Sequence, residues 1–305
     1  MREPTRHAAE RRPRLSYRRS RNNFTVSHGI LVGRYRNRFN PARPLSGVVY
    51  HPRSNNSAFD FDPFYGRFAE FDSGMNDREL FDRYADDYDA NLAAALEVSG
   101  EDRNFFAKGR VALLSQCLRK LSEKPRFALD FGCGDGSTAP VLREQLDLER
   151  VLGVDASPRS IQRARREIED PDCRFLDMCD YTPDGVCDMA YCNGVFHHIS
   201  PDERPAAIEF VFRALRAGGI FALWENNPWN PGTRYVMSRC VFDKDALPLA
   251  PPECRRILAA AGFRILRTDY AFIFPHALSW LRLLENGVRK LPLGAQYQVL
   301  ARKPS

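Results

Sequence analysis

From Asp77 onward apolar residues recur at spacings of three and four. Leu80, Phe81, Tyr84, Tyr88 and Leu92 predict a helix that ends near Gly100. A second helix is expected over residues 105–121, with Phe106, Leu113, Leu114, Cys117 and Leu118 on its apolar side and Pro125 beyond its end. The period then changes. Short apolar runs at 127–131, 151–154, 173–176, 189–192 and 220–224 read as strands, with amphipathic stretches between them. Ser157 and Pro158 mark one helix start, with Ile161, Ala164 and Ile168 on its inner face. Ser200-Pro201-Asp202-Glu203 has the form of a capping box with proline at the first helical position. Ile208, Val211, Phe212 and Leu215 follow as the buried stripe, and Gly218-Gly219 is expected to end that helix. Residues 252–261 predict a further helix closed by Gly262. Two last β-like runs, 263–274 and 296–301, are joined through a segment holding a short helix.

Strands alternating with helices over this length imply a parallel sheet covered on both faces. Ligands in such sheets lie beyond the carboxyl ends of the strands, where the strand order reverses. The chemistry is therefore expected in the turns after Phe131, Val154, Leu176, Cys192 and Trp224, where the unusual residues cluster.

Composition narrows the class. The 305 residues suffice for one large or two modest domains. The longest apolar stretch, 270–284, is broken by Pro275, His276 and Arg282, so no segment reaches the roughly 18 apolar residues of a membrane span. Met1-Arg2-Glu3-Pro4 lacks the apolar core of a secretory signal. The formal net charge of +6 is unevenly placed: residues 1–74 hold 14 arginines, no lysine and 6 acids, which leaves the remainder near neutral. A near-neutral body suits a small-molecule enzyme better than a nucleic-acid clamp. The eight cysteines form no C-x-x-C pair and have no histidine at zinc-finger spacing. They read as buried reduced thiols of a cytoplasmic protein, and no metal ligands are assigned.

The first turn is Asp130-Phe131-Gly132-Cys133-Gly134-Asp135-Gly136. Its spacing is G-x-G-x-G, not the G-x-G-x-x-G that receives a pyrophosphate on a helix N-terminus. Its two carboxylates, Asp130 and Asp135, would repel a pyrophosphate and suit a cation. Asp155 ends the second strand, where an acid accepts ribose hydroxyls in nucleotide folds generally. That feature alone does not separate one nucleotide cofactor from another.

Four stretches in order carry a resemblance: 129–136, Gly153-Val154-Asp155-Ala156-Ser157, Asn193-Gly194-Val195-Phe196-His197-His198-Ile199, and Leu215-Arg216-Ala217-Gly218-Gly219. They resemble the successive motifs of the class I S-adenosylmethionine-dependent methyltransferases. Residues 81–89 look like the helix that folds over the cofactor in many small-molecule members. The resemblance spans about 77–303 and implies an α/β, Rossmann-like, doubly wound seven-stranded sheet with a C-terminal antiparallel strand pair and a helical N-terminal lid. The expected division is a disordered Arg-rich extension at 1–74, the lid at 75–126 and the cofactor domain at 127–305. It implies S-adenosyl-L-methionine as cofactor, a cation with no phosphate. Asp130, Gly132 and Gly134 would line its methionine part, Asp155 would take the ribose and Ala156 the adenine. Asp180 is preferred over Asp177 for the adenine amino group, and Asn193 and the lid's Tyr88 complete the expected set.

Methyl transfer is an in-line displacement at a carbon that the sulfonium already activates, so positioning supplies much of the acceleration. A base is needed only where the acceptor must lose a proton. Glu225, which precedes Asn226, Asn227 and Pro228, and His198 beside His197 are the candidates on the acceptor side. The expected acceptor is a small or lipid-like molecule attacking through O, N or C. The alternative is RNA gripped by the arginine-rich arm, with NAD-linked oxidoreduction and a catalytically dead interaction module as further rivals. Enzymes that methylate exocyclic base amines resemble one another in an Asn/Asp-Pro-Pro-aromatic motif after strand four, and Asn193-Gly194-Val195-Phe196 lacks it.

Residues 11–59 hold no acid at all, and Met75 stands where the recognisable domain begins. An upstream over-reading from Met75 and an organelle transit peptide are the two leading accounts, with a tether to nucleic acid or anionic membrane as the third. Protein made from Met75 onward is expected to bind S-adenosylmethionine as the full chain does and to melt within a few degrees of it. Titration calorimetry and thermal denaturation check both.

Overall fold

The computed structural model describes residues 99–240, 243 and 246–305, all within the unit Phe59–Ser305. The expected extension at 1–74, the first lid helix and Tyr88 lie outside the described residues.

The described chain runs α1 (Arg103–Lys120), β1 (Phe127–Phe131), α2 (Thr138–Leu146), β2 (Arg150–Asp155), α3 (Pro158–Glu167), β3 (Cys173–Asp177), β4 (Cys187–Asn193), α4 (Arg204–Ala214), β5 (Leu215–Asn226), α5 (Pro231–Arg239), α6 (Pro251–Ala260), β6 (Arg264–Ala271), α7 (Glu285–Val288) and β7 (Gln296–Arg302). A short 3₁₀ turn, Met178–Asp180, follows β3, and a 3₁₀ segment, His276–Leu284, precedes α7. The seven strands form one sheet in the order β3-β2-β1-β4-β5-β7-β6. The first five are parallel, and β7 pairs antiparallel with both β5 and β6. The expected doubly wound sheet with a terminal antiparallel pair is the observed one. Its order reverses between β1 and β4, which puts the switch point at their carboxyl ends.

Alternation along each strand divides the core between the two faces. On β4, Ala190 and Cys192 face one side with Leu129, Phe131 and Leu223, against Ile208 and Val211 of α4 and Leu258 of α6. Met189 and Tyr191 face the other with Val151 and Trp224, against Val111 and Leu114 of α1, Leu142 of α2 and Ile161 of α3. All eight cysteines are free thiols, and only Cys179 is exposed. Among the described residues no helix is long and apolar enough to cross a membrane.

Two expectations shift by about a turn. Helix α4 begins at Arg204, not at Pro201, because the side chains of the expected capping box pair with each other: Ser200 Oγ donates to Glu203 Oε2 at 2.8 Å. The buried Arg204 then ties the preceding turn together, with Nε donating to the carbonyls of Phe196 and Ile199, each at 3.1 Å. Strand β5 starts at Leu215, so Gly218-Gly219 lies inside the strand rather than ending a helix. The Gly218 N–H donates to Lys303 O, and the Lys303 N–H returns to Gly219 O. Lys303 Nζ donates to the Phe212 and Leu215 carbonyls at the end of α4, which satisfies the helix terminus that glycine was expected to close.

Candidate active site at the switch point

The loop after β1 turns through three glycines with positive φ, 72° at Gly132, 55° at Gly134 and 75° at Gly136. Two of these positions matter for a ligand. A Cβ on Gly132 would sit 2.3 Å from Val195 Cγ2, so the loop after β4 closes on this glycine. A Cβ on Gly134 would meet nothing within 4 Å among the described residues, so with respect to these that peptide faces open space.

Asp155 fastens this loop to the next. Its Oδ2 accepts the Gly134 N–H at 2.8 Å and its Oδ1 accepts the Ser157 N–H at 2.9 Å. Ser157 caps α3 as expected, its Oγ accepting from Ser160 N. Asp155 is thus also a loop clamp, a role its position in the sequence did not reveal. Burial pushes its carboxyl up, and the Ser157 and Gly134 amides pull back the other way. Asp135 departs further from expectation. Arg103 of α1 donates to both of its oxygens at 2.6 Å, so its charge is already matched within the protein.

Among the described residues, Asp130 is left as the loop's charge without a matched cation. It is buried, and Oδ2 has no hydrogen-bond partner among them. Burial and the neighbouring Asp155 push its carboxyl from 3.8 up to about 7, against the pull of Arg110. On the adjacent strand, Asn193 Oδ1 is a second buried oxygen without a partner among the described residues. Both orphans are acceptors at the carboxyl ends of the paired strands β1 and β4. A pair of unmatched acceptors beside an open glycine peptide fits a ligand that brings a cationic donor, as the ammonium of S-adenosylmethionine does.

Farther along the edge, Asp155 pairs in register with Asp177 at the ends of β2 and β3. Asp177 Oδ1 accepts from Cys179 N at 3.1 Å and so caps the 3₁₀ turn, whereas Asp180 stands exposed at the end of that turn. Ala156 is exposed between β2 and α3.

The acceptor-side candidates sit differently from expectation. Glu225 is buried on β5 rather than facing an open patch: Oε1 accepts the Phe196 N–H at 2.7 Å and Oε2 meets His197 Nδ1 at 2.6 Å. His197 Nε2 lies 3.3 Å from Asp243 Oδ1, and His198 Nε2 lies 3.6 Å from the same oxygen. Burial alone would discharge His197, but Glu225 and Asp243 outweigh it and hold the ring at about 10. Burial and the charged His197 push His198 down to about 3. Asp243 was not singled out from sequence, since it lies in a loop beyond α5 with no motif around it.

A family model described as a methyltransferase domain matches residues 129–223. The match and the fold together support a class I S-adenosylmethionine-dependent methyltransferase domain. The protein is an enzyme of that class, and S-adenosyl-L-methionine is its cofactor. Trans-aconitate 2-methyltransferase of Escherichia coli O139:H28 is 26% identical over 200 residues, 58% of this chain and 78% of the relative. Two solved structures share the fold. An S-adenosylmethionine-dependent methyltransferase from Thermotoga maritima has a TM-score of 0.51 at 18% identity, covering 75% of this chain and 100% of that one. Human N-acetylserotonin methyltransferase with bound S-adenosylmethionine has a TM-score of 0.52 at 15% identity, covering 79% and 62%.

Proposed function

We propose that this methyltransferase transfers the methyl group to a small carboxylate acceptor. The observation that carries the acceptor class is the likeness to trans-aconitate 2-methyltransferase over most of that relative's length. A carboxylate is ionised at neutral pH and attacks without losing a proton, so this reading needs no general base. The site geometry supports that economy: both nitrogens of His197 face carboxylates of the protein, and both oxygens of Glu225 face protein donors. Glu225 then acts as a positioning residue for the turn after β4, and His198 is the group of that turn nearest the acceptor.

Asp130 Oδ2 and Asn193 Oδ1 hold the ammonium of the cofactor, the Gly132–Gly134 backbone lines its methionine part, Asp155 takes the ribose with its remaining lone pairs, and Ala156 and Asp180 meet the adenine. Bound in this way the cofactor supplies a methyl on a sulfonium, and the protein's task is to hold the carboxylate in line with it. Incubation with S-adenosylmethionine and a panel of small mono-, di- and tricarboxylates, trans-aconitate among them, tests the reading. Release of S-adenosylhomocysteine with one or more of these acids is the expected result. Turnover confined to amine or phenol acceptors would overturn it.

Asp155→Ala removes both the ribose acceptor and the clamp between the two loops. The expected loss is about 1.5–3 kcal/mol of cofactor affinity for each charge-assisted bond removed. Titration calorimetry with S-adenosylmethionine reads it.

A further inference from the structure

We propose that His197, His198 and Asp243 form a site for a borderline first-row divalent cation of the Zn²⁺ and Co²⁺ type. The three residues present one ligand atom each, all within 4.8 Å of one another. A tetrahedral cation with bonds of 2.0–2.2 Å to nitrogen and oxygen holds its ligand atoms about 3.4 Å apart. The two histidine–carboxylate separations here, 3.3 and 3.6 Å, bracket that edge length. Two imidazoles and one carboxylate are a donor set suited to such ions, and three protein ligands leave a position open.

A second observation is independent of the cluster itself. Metal-bound histidines donate their other ring N–H to a carboxylate or carbonyl, which fixes the tautomer and aims the free nitrogen at the ion. His197 Nδ1 lies 2.6 Å from Glu225 Oε2, and the same carboxylate is anchored by the Phe196 N–H. Nε2 is thereby turned toward Asp243. The loop bearing Asp243 is also fixed to this turn, since the Leu247 N–H donates to the His197 carbonyl at 2.7 Å. A proton on Nε2 is the competing occupant of the same space. The cluster lies on the turn after β4, on the acceptor side of the switch point, so the open position would take an oxygen of the acceptor and orient it. That use rests on the function proposed above; binding of the cation does not.

Cobalt is the probe, because its ligand-field absorption reports both geometry and donor atoms. The untagged full chain, stripped with chelator, is titrated with Co²⁺ in the visible range. One equivalent per chain should bind with ligand-field bands of nitrogen and oxygen coordination, without a thiolate charge-transfer band. Asp243→Asn and His198→Ala should each weaken it at least tenfold, Glu225→Gln about tenfold or more, and Cys179→Ser not at all. Retained S-adenosylmethionine binding shows that a variant is folded, and the wild-type spectrum identifies the donors without any variant. Absence of a saturable spectrum, a thiolate band, or folded histidine and aspartate variants with unchanged affinity would overturn the site. Methyl transfer to a carboxylate without cobalt uptake removes the site and leaves the function standing; cobalt uptake with no carboxylate methylated does the reverse.

Discussion

Binding of S-adenosylmethionine should weaken about tenfold for each pH unit below 7 and level off above it, because the cationic ligand needs Asp130 ionised. Asp130 is buried, with its carboxyl pushed from 3.8 up to about 7 by burial and by Asp155, while Arg110 pulls it down and Asp135 is matched by Arg103. Tyr191, which accepts from Arg110 Nε at 3.1 Å, and the buried thiols of Cys133 and Cys192 are further titratable groups beside it. The sign for folding runs opposite to that for binding. The folded protein holds this proton more tightly than the unfolded chain, so the ligand-free stability Asp130 contributes is complete below about 3.8 and is lost as pH rises through about 7. The ligand therefore binds best where its own absence is costliest. Asp130→Asn should flatten the pH profile, raise ligand-free stability at pH 8, and lower affinity there by about ten- to a hundredfold, the worth of a hydrogen bond to a charged group. Calorimetry in buffers of different ionisation heat should show a proton released on binding near pH 7. A wild-type affinity that does not change between pH 8 and 6 would remove Asp130 from the cofactor site.

The sheet was legible because its signals are local. Alternating apolar runs fixed β1 to β4 within a residue or two, and the Ser157-Pro158 start of α3 is a contact between near neighbours. What sequence misjudged depends on partners far along the chain. Gly218-Gly219 reads as a helix stop until Lys303 supplies bonds to both the strand and the helix end. Asp135 reads as a free charge until Arg103 of α1 folds onto it. Glu225 reads as an exposed polar group at a strand end, but the β5 register carries it under the turn after β4, where two donors await it. Asp243 carries no motif at all, and only the packing of its loop brings it to the paired histidines.

Removing the Glu225 carboxylate should destabilise the fold more than any other single change at this edge of the sheet. Glu225→Ala strips the partner from two buried donors at once, the Phe196 N–H and the His197 ring. His197 escapes part of the penalty by releasing its proton, yet Asp243 on its other side still favours the charged ring. Breaking a buried pair by deleting one member costs about 3–5 kcal/mol. For a folded body of this size that corresponds to roughly 10 °C in Tm. Glu225→Gln keeps the volume and one acceptor oxygen, so it should recover about half of the loss while leaving either Phe196 or His197 facing an amide instead of a carboxylate. On the function proposed above, in which the turn from Gly194 to Ser200 would position the acceptor, turnover should fall in both variants, while affinity for S-adenosylmethionine in the folded Gln variant stays within about threefold of wild type, as expected if the cofactor contacts lie on β1, β2 and the end of β4 instead. Thermal denaturation, a methyl-transfer assay and calorimetry separate these effects. A Glu225→Ala protein that melts with the wild type would mean that the Phe196 amide and His197 find other partners, and that the carboxylate does not hold this turn.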